Sequence, residues 1–127
     1  CIGCIEAIKP LWEAVRDMAR AAALEDPRFP PVRPEEVSDL EIEISVLTPL
    51  RRVEDINDIV IGRDGLIIRK GWRQGLLLPQ VATEYGWDVR TFLEHTCLKA
   101  GLPRNAWKDP DAEILAFSAE VFSEGEF

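Results

Sequence analysis

The stretch IVIGRDGLII at residues 59–68 decides the fold, because two apolar runs flank a turn sequence. Its Asp64-Gly65 step supplies the positive φ that a tight β-hairpin needs. The pattern therefore predicts a hairpin whose strands are residues 59–61 and 66–68. On this interpretation, Asp64 is a turn residue in contact with solvent.

The following segment, GWRQGLLLP at residues 71–79, predicts a second turn and then another strand. Gly71 and Gly75 bracket the turn. Residues 76–78 are all leucine, and a short apolar run that a proline stops is typical of a buried strand. We expect this strand to be central in its sheet.

Helices and further strands surround this region. Apolar residues recur at helical spacing over residues 10–24 and 89–100, with a shorter helix at 79–85, and alternation predicts strands at 40–47 and 115–121. Strands grouped around hairpins, with helices between the groups, indicate the α+β class. We predict a layered domain with a mainly antiparallel sheet flanked by helices.

Each long helix has recognisable ends. The first runs from Pro10, which suits a first helical position, to the Asp26-Pro27 step, because the residue before a proline is pushed out of helical geometry. Asp88 is a predicted N-cap for the second, and Gly101 is a predicted C-terminal stop.

Composition and net charge limit the classes of partner that this chain can have. The chain has 127 residues, 46% hydrophobic and 30% charged, so one domain over residues 1–127 is expected. Its net charge of −8 repels a phosphate backbone, which argues against nucleic acid as a partner. No apolar run approaches the roughly 20 residues that cross a bilayer. We therefore expect no membrane partner and a soluble, cytoplasmic protein, with its three cysteines reduced.

The cysteines predict no metal site. Cys1 and Cys4 have the spacing of half a zinc knuckle, and His95 with Cys97 completes the ligand count. However, His95 and Cys97 lie two positions apart on a helix and point in nearly opposite directions. We interpret the thiols as structural and expect no metal and no cofactor. An alternative is a cysteine-dependent enzyme that uses Cys1 as its nucleophile.

The loop DPRFPP at residues 26–31 is the most suggestive functional segment. Prolines stiffen it, so Arg28 loses little entropy when it grips a carboxylate or phosphate, and Phe29 offers a stacking face. A competing interpretation is structural: Arg28 pairs with Asp26 while Phe29 fills the core.

Four tryptophans are many for this length. Trp12 and Trp87 are predicted core anchors, whereas Trp72 lies on a turn, where an exposed aromatic favours a partner surface. His95 is expected on the polar flank of its helix, as a surface residue. Gln80 is expected to place its amide at the end of a strand, where sheet proteins often collect ligand contacts.

In sequence motifs, the chain closely resembles the AMMECR domain family, known in prokaryotes as protein A of the AmmeMemoRadiSam system. The match runs in the same order along the chain, through Cys1-Ile2-Gly3, Asp26-Pro27-Arg28-Phe29-Pro30, residues 40–47, residues 75–81 and Gly86-Trp87. Family members continue upstream of Cys1, so we expect an N-terminal portion to be missing.

The resemblance implies an α+β fold and an association with a radical SAM protein and a Memo-like protein. It leaves open whether this component catalyses, binds or scaffolds. Our hypothesis is a binding or accessory component that takes a small anionic ligand in a groove between the segment at Cys1 and the loop at 26–31. The candidate ligand-binding residues are Cys1, Gly3, Asp26, Arg28, Phe29 and Gln80.

Overall fold

A computed structural model describes residues 2–4 and 9–124 of the chain. The chain divides into two compact units. Unit 1 comprises Cys1–Ile44 and Val121–Phe127, and unit 2 comprises Ser45–Glu120. The α+β class is confirmed, since helices accompany antiparallel sheets in the structure. None of the helices in the described part of the chain is long and apolar enough to span a membrane.

Unit 1 contains helix α1 (Leu11–Leu24) and a short 3₁₀ helix (Pro34–Asp39). Strands β1 (Glu43–Leu47) and β6 (Ala119–Ser123) pair as a two-stranded sheet, and the boundary between the units falls within both strands. The predicted first helix is confirmed. It begins one residue later than expected because Pro10 has extended geometry, with ψ 145°, and serves as the N-cap.

The apolar face of α1 is not buried. No residue of this helix reaches the buried class, and the Trp12 side chain is 68% exposed, so its predicted role as a core anchor is wrong. The Arg16 guanidinium lies 5.4 Å from the centroid of the Trp12 ring instead. Amphipathic spacing indicates which face of a helix is apolar, but it does not indicate what covers that face.

Unit 2 is built on an antiparallel sheet of four strands in the order β2-β5-β3-β4. Its elements are β2 (Arg51–Arg52), β3 (Gly65–Lys70), β4 (Arg73–Leu77), α2 (Pro79–Tyr85), α3 (Val89–Lys99) and β5 (Glu113–Phe117). Side chains on one face of the sheet, including Leu66 and Ile68 of β3, pack against the helices. These two residues and Phe92 of α3 are fully buried in one apolar cluster. The predicted second long helix is therefore confirmed, and its buried side lies against this sheet.

The local signals that begin and end the helices of unit 2 act as expected. The Asp88 carboxylate accepts a hydrogen bond from the Thr91 backbone N–H at 2.8 Å and caps α3. Gly86 ends α2 with φ +66°, and Gly101 follows α3 with φ +75°. Both values lie in the left-handed region that favours glycine.

The prediction of a hairpin at residues 59–68 is wrong, because residues 59–61 form no strand. The hairpin joins β3 to β4, and because Lys70 pairs with Arg73, its turn contains only Gly71 and Trp72. Gly71 supplies the positive φ, at +62°. β4 lies at the edge of the sheet, so the expectation of a central strand is also wrong.

The predicted strand at 115–121 is divided into β5 and β6. Ser118 interrupts it, because its backbone pairs with Thr48 rather than continuing either ladder. The Ser118 N–H donates to the Thr48 hydroxyl at 2.8 Å, and its carbonyl accepts from the Thr48 N–H at 2.9 Å. The first predicted strand, 40–47, is shorter in the structure and begins at Glu43.

Candidate functional site

The loop at 26–31 is organised around Asp26. Its carboxylate accepts hydrogen bonds from the Arg28 backbone N–H at 3.1 Å and from the guanidinium at 2.9 Å (Nε) and 2.7 Å (Nη2). The Asp26 side chain is 5% exposed and the Arg28 side chain 48% exposed. Asp26 is also the only residue of the buried class among the described residues of unit 1. A buried carboxylate thus holds a half-exposed guanidinium in one orientation.

These hydrogen bonds set the charge state of the pair. The Arg28 side chain and the Arg28 backbone N–H lower the pKa of Asp26 to about 2, against the opposing effect of burial. The same carboxylate raises the pKa of Arg28. Both members therefore stay ionised at physiological pH, so the pair has no net charge and the guanidinium is its half-exposed member.

Phe29 does not fill a core. Its side chain is 66% exposed, and the Arg28 guanidinium carbon lies 5.6 Å from the centroid of its ring. The Phe29 N–H donates to the Asp26 carbonyl at 3.3 Å, and the Val32 N–H donates to the Ala23 carbonyl at 2.9 Å, which ties the loop to the end of α1. The structural interpretation of the loop is right about the ion pair and wrong about the ring.

The remaining candidate residues are placed as follows. Cys1 lies outside the described residues. Gly3 is exposed, and a Cβ added to it would meet no atom within 4 Å. Gln80 belongs to unit 2, where its amide donates to the Ser45 hydroxyl at 3.4 Å. The structure brings Asp26, Arg28 and Phe29 together, and the roles of all six residues stay predictions.

The two described cysteines differ in their surroundings. Cys4 is exposed, whereas Cys97 is buried in the core of unit 2. Burial raises the pKa of the Cys97 thiol, although the backbone N–H groups of Trp107 and Ala106 hydrogen-bond to it. Within residues 2–4 and 9–124, no three His, Cys, Asp or Glu side chains are grouped as a metal site requires.

We predict that a thiol reagent at neutral pH modifies Cys4 and leaves Cys97 unmodified in the folded protein. The thiolate is the reactive form, and burial both blocks access to Cys97 and disfavours its ionisation. Peptide mass spectrometry after brief labelling with iodoacetamide reads both sites, with a urea-unfolded sample as the control. Rapid native labelling of Cys97 would contradict its burial.

An ion cluster around Asp64 is the feature that sequence reasoning missed. Asp64 is fully buried and accepts from Arg51 Nη2 at 2.6 Å, from Arg63 Nε at 2.9 Å and from the Val60 backbone N–H at 2.9 Å. It was expected in solvent. Arg51 lies 13 residues upstream, and a local turn signal carries no information about a partner at that distance.

Unit 2 also carries a stack of aromatic rings. Trp87 stacks with Tyr85 at a centroid distance of 5.1 Å and with His95 at 4.0 Å, with interplanar angles of 16° and 5°. His95 is half-buried in this stack rather than lying free on the polar flank of α3.

A shallow cavity of about 350 Å³ lies in unit 2. It is lined by Ile56, Asn57, Ile59, Asp88, Val89 and Arg90, and none of the candidate residues lines it. Asp88 lines this cavity while its carboxylate caps α3, and the lining as a whole mixes apolar residues with polar and charged ones.

Comparison with known proteins identifies the same family over nearly the whole chain. The family model AMMECR1 matches residues 1–122. Similar archaeal proteins include one from Methanothermobacter thermautotrophicus, 50% identical over 98% of this chain, and one from Thermococcus gammatolerans, 54% identical over 98%. The chain spans 68% and 63% of the lengths of these two relatives.

A solved structure supports the fold. The crystal structure of protein PH0010 from Pyrococcus horikoshii is 50% identical and superposes with a TM-score of 0.95. The match covers 98% of this chain and 64% of the other. At this level of identity, the fold described above is the fold of the matching part of that protein.

Proposed function

This chain belongs to the AMMECR1 family, and we propose that it acts as a binding or accessory component whose recognition surface is the loop at 26–31. The observation that carries the proposal is the display of Arg28 and Phe29. A buried carboxylate orients the guanidinium, and the ring beside it is 66% exposed. An oriented cation next to an exposed ring is a combination that binding sites use.

The chemistry of the loop selects its ligand class. The Arg28 guanidinium is 48% exposed, a guanidinium suits carboxylate and phosphate oxygens, and the Asp26 hydrogen bonds already meet part of the entropic cost of ordering it. The ring adds stacking or apolar contact. A small anionic ligand, or an anionic side chain of a partner, fits both features. The partners that the family resemblance implies are a radical SAM protein and a Memo-like protein.

The proposal is tested by co-purification with the radical SAM and Memo-like proteins of the same genome, followed by mass spectrometry of any bound small molecule. Phe29→Ala is the informative variant, because its exposed ring contributes little to the fold. Trp12→Ala is a matched control: this aromatic is 68% exposed, with an Arg16 guanidinium 5.4 Å from its ring. We expect loss of partner or ligand with Phe29→Ala only. Equal recovery with wild type and both variants would reject the loop as the recognition surface.

We predict that Arg28→Ala lowers stability, which makes it unsuitable as a binding variant on its own. It leaves the buried Asp26 carboxylate without its two guanidinium hydrogen bonds. Arg28→Lys retains a cation but not the bidentate geometry, so an intermediate loss is expected. In thermal unfolding at neutral pH, we expect the melting temperature to decrease from wild type to Arg28→Lys and again to Arg28→Ala. An Arg28→Ala variant as stable as wild type would contradict the anchoring role of Asp26.

The pH dependence of that pair has a definite sign. The folded pKa of Asp26 is about 2, below the value of about 3.9 for an unfolded aspartate. The stabilising contribution of the Asp26 carboxylate is therefore present above the unfolded pKa, at about pH 4, and is lost as the pH falls through the folded pKa. The stability difference between wild type and Arg28→Ala should therefore shrink as the pH is lowered from neutral toward 2.

A further inference from the structure

A second surface, separate from the loop at 26–31, surrounds Trp72. This side chain is 85% exposed, the largest value among the exposed apolar side chains of the described residues. It lies on the two-residue turn between β3 and β4, and the left-handed geometry of Gly71 fixes that turn. A tight hairpin turn holds a side chain more rigidly than a long loop does, so the ring is exposed in a defined position.

The Arg73 guanidinium packs against the Trp72 ring. Its guanidinium carbon lies 4.5 Å from the centroid of the Trp72 ring, and its Nη1 donates to the Gly101 carbonyl at 3.0 Å. Gly101 follows the C-terminal end of α3, where a cation is favoured by the helix dipole. The indole is therefore supported by an arginine that the neighbouring helix holds in place. Such support lowers the entropic cost of binding.

The two segments that meet at Trp72 are basic, unlike the chain as a whole. Residues 69–75 and 98–104 contain no Asp or Glu, although the chain has 23 of them and a net charge of −8. Their basic residues are Arg69, Lys70, Arg73, Lys99 and Arg104. Lys70 is paired with Asp109, and Arg69 lies opposite Glu113 of β5 on the other face of the sheet, whereas the other three form no ion pair with the described residues. We call these two segments the Trp72 surface.

The two segments form one surface because β4 and the end of α3 are in close contact. The Arg73–Gly101 hydrogen bond joins them, and a Cβ at Gly75 would come within 2.8 Å of the Ala100 Cα. Leu98, which is 43% exposed, adds an apolar side chain from α3. The surface thus combines one rigid aromatic ring, one aliphatic side chain and three cations that form no ion pair with the described residues: Arg73, Lys99 and Arg104.

We propose that the Trp72 surface docks an acidic segment of a partner protein that carries at least one apolar side chain. Tryptophan and arginine are the residue types most enriched at the energetic centres of protein interfaces. Charge complementarity selects an acidic partner and accelerates association. The surface presents a single indole, which is a weak membrane anchor and offers no series of rings on which the bases of single-stranded nucleic acid could stack, so a protein segment is favoured.

Fluorescence anisotropy of a labelled synthetic peptide tests the docking. The probe is a short run of glutamates interrupted by leucine and phenylalanine, and the control peptide has glutamine in place of each glutamate. We expect binding of the acidic peptide that weakens with added salt, and an affinity at least about tenfold lower for Trp72→Ala. Arg104→Glu should weaken binding without removing the ring. Trp12→Ala, which removes an exposed ring outside both surfaces, should bind as wild type does.

Three results with the peptides would overturn the proposal. They are no detectable binding of the acidic peptide, equal binding of the glutamine peptide, and unchanged affinity in both Trp72→Ala and Arg104→Glu. Preferential binding to phosphatidylserine vesicles or to single-stranded DNA, unaffected by excess peptide, would overturn it in favour of another partner class. Because Phe29→Ala tests the other loop, failure of this proposal leaves the proposed function of that loop intact.

Discussion

Gly75→Ala is expected to destabilise the protein by about 3 kcal/mol, at the upper end of the range for overpacked cores. The added Cβ would lie 2.8 Å from the Ala100 Cα and 2.8 Å from the Lys99 carbonyl carbon, and closer still to the Ala100 nitrogen. These atoms are backbone at the end of α3, so no side-chain rotation relieves the clash. The helix and β4 must move apart, which opens the core around Ile68 and Phe92.

Urea unfolding monitored by circular dichroism measures this loss. Gly3→Ala is the matched control, because the same methyl group would meet no atom within 4 Å there. We expect that control to stay within about 0.5 kcal/mol of wild type. A Gly75→Ala variant as stable as Gly3→Ala would show that α3 does not approach β4 as closely as described.

Asp64→Ala is expected to cost about 3 kcal/mol, near the lower end of the range for removing one partner from a buried ion pair. The change leaves the Val60 N–H without its acceptor and releases Arg51 and Arg63 from their shared carboxylate. The two guanidinium groups are about half exposed and can be hydrated, which keeps the loss from being larger. Release of Arg51 also loosens β2 at the edge of the sheet.

Asp111→Ala provides the control for Asp64→Ala, because its carboxylate is 75% exposed and lies 3.9 Å from Lys70. A surface pair of this kind contributes about 0 to 1 kcal/mol. Equal stabilities of the two alanine variants would contradict the burial of Asp64.

The Asp64 cluster also predicts a pH dependence. Burial acts to raise the pKa of this carboxyl, but hydrogen bonds from Arg63, Arg51 and the Val60 N–H outweigh it and hold the pKa at about 2. Because the unfolded value is about 3.9, stability is lost as the pH falls from about 4 toward the folded pKa. Asp64→Ala should therefore show a shallower loss than wild type over that window.

Local signals account for the parts of the fold that the sequence predicts well. Helix α3 follows from an N-cap at Asp88, apolar spacing and a glycine at 101, all of which act within a few residues. The hairpin does not follow in this way. Asp64-Gly65 and Gly71-Trp72 are both reasonable turns, but β3 pairs with β4 on one side and with β5 on the other, so no edge of β3 is left for residues 59–61.

The same distinction applies to the candidate site. Asp26 and Arg28 are two residues apart, so their pairing is predictable as one of two interpretations, and the structure adds its bidentate geometry. The exposure of Phe29 is not predictable, because an aromatic residue between prolines suits either a core or a surface. Nor does the pattern of α1 reveal that Trp12 is exposed, since periodicity describes one helix and not its neighbours.

The most direct test of the recognition role of the loop is the affinity of Phe29→Ala for the radical SAM or Memo-like protein that co-purifies with the chain. Isothermal titration calorimetry measures this affinity, and the melting temperature of the variant is measured beside it. We expect a Kd at least tenfold weaker, equal to about 1.4 kcal/mol, with a melting temperature close to that of Trp12→Ala. A wild-type Kd would contradict it. So would a loss of binding that only accompanies unfolding, since Phe29 would then support the fold and not the partner.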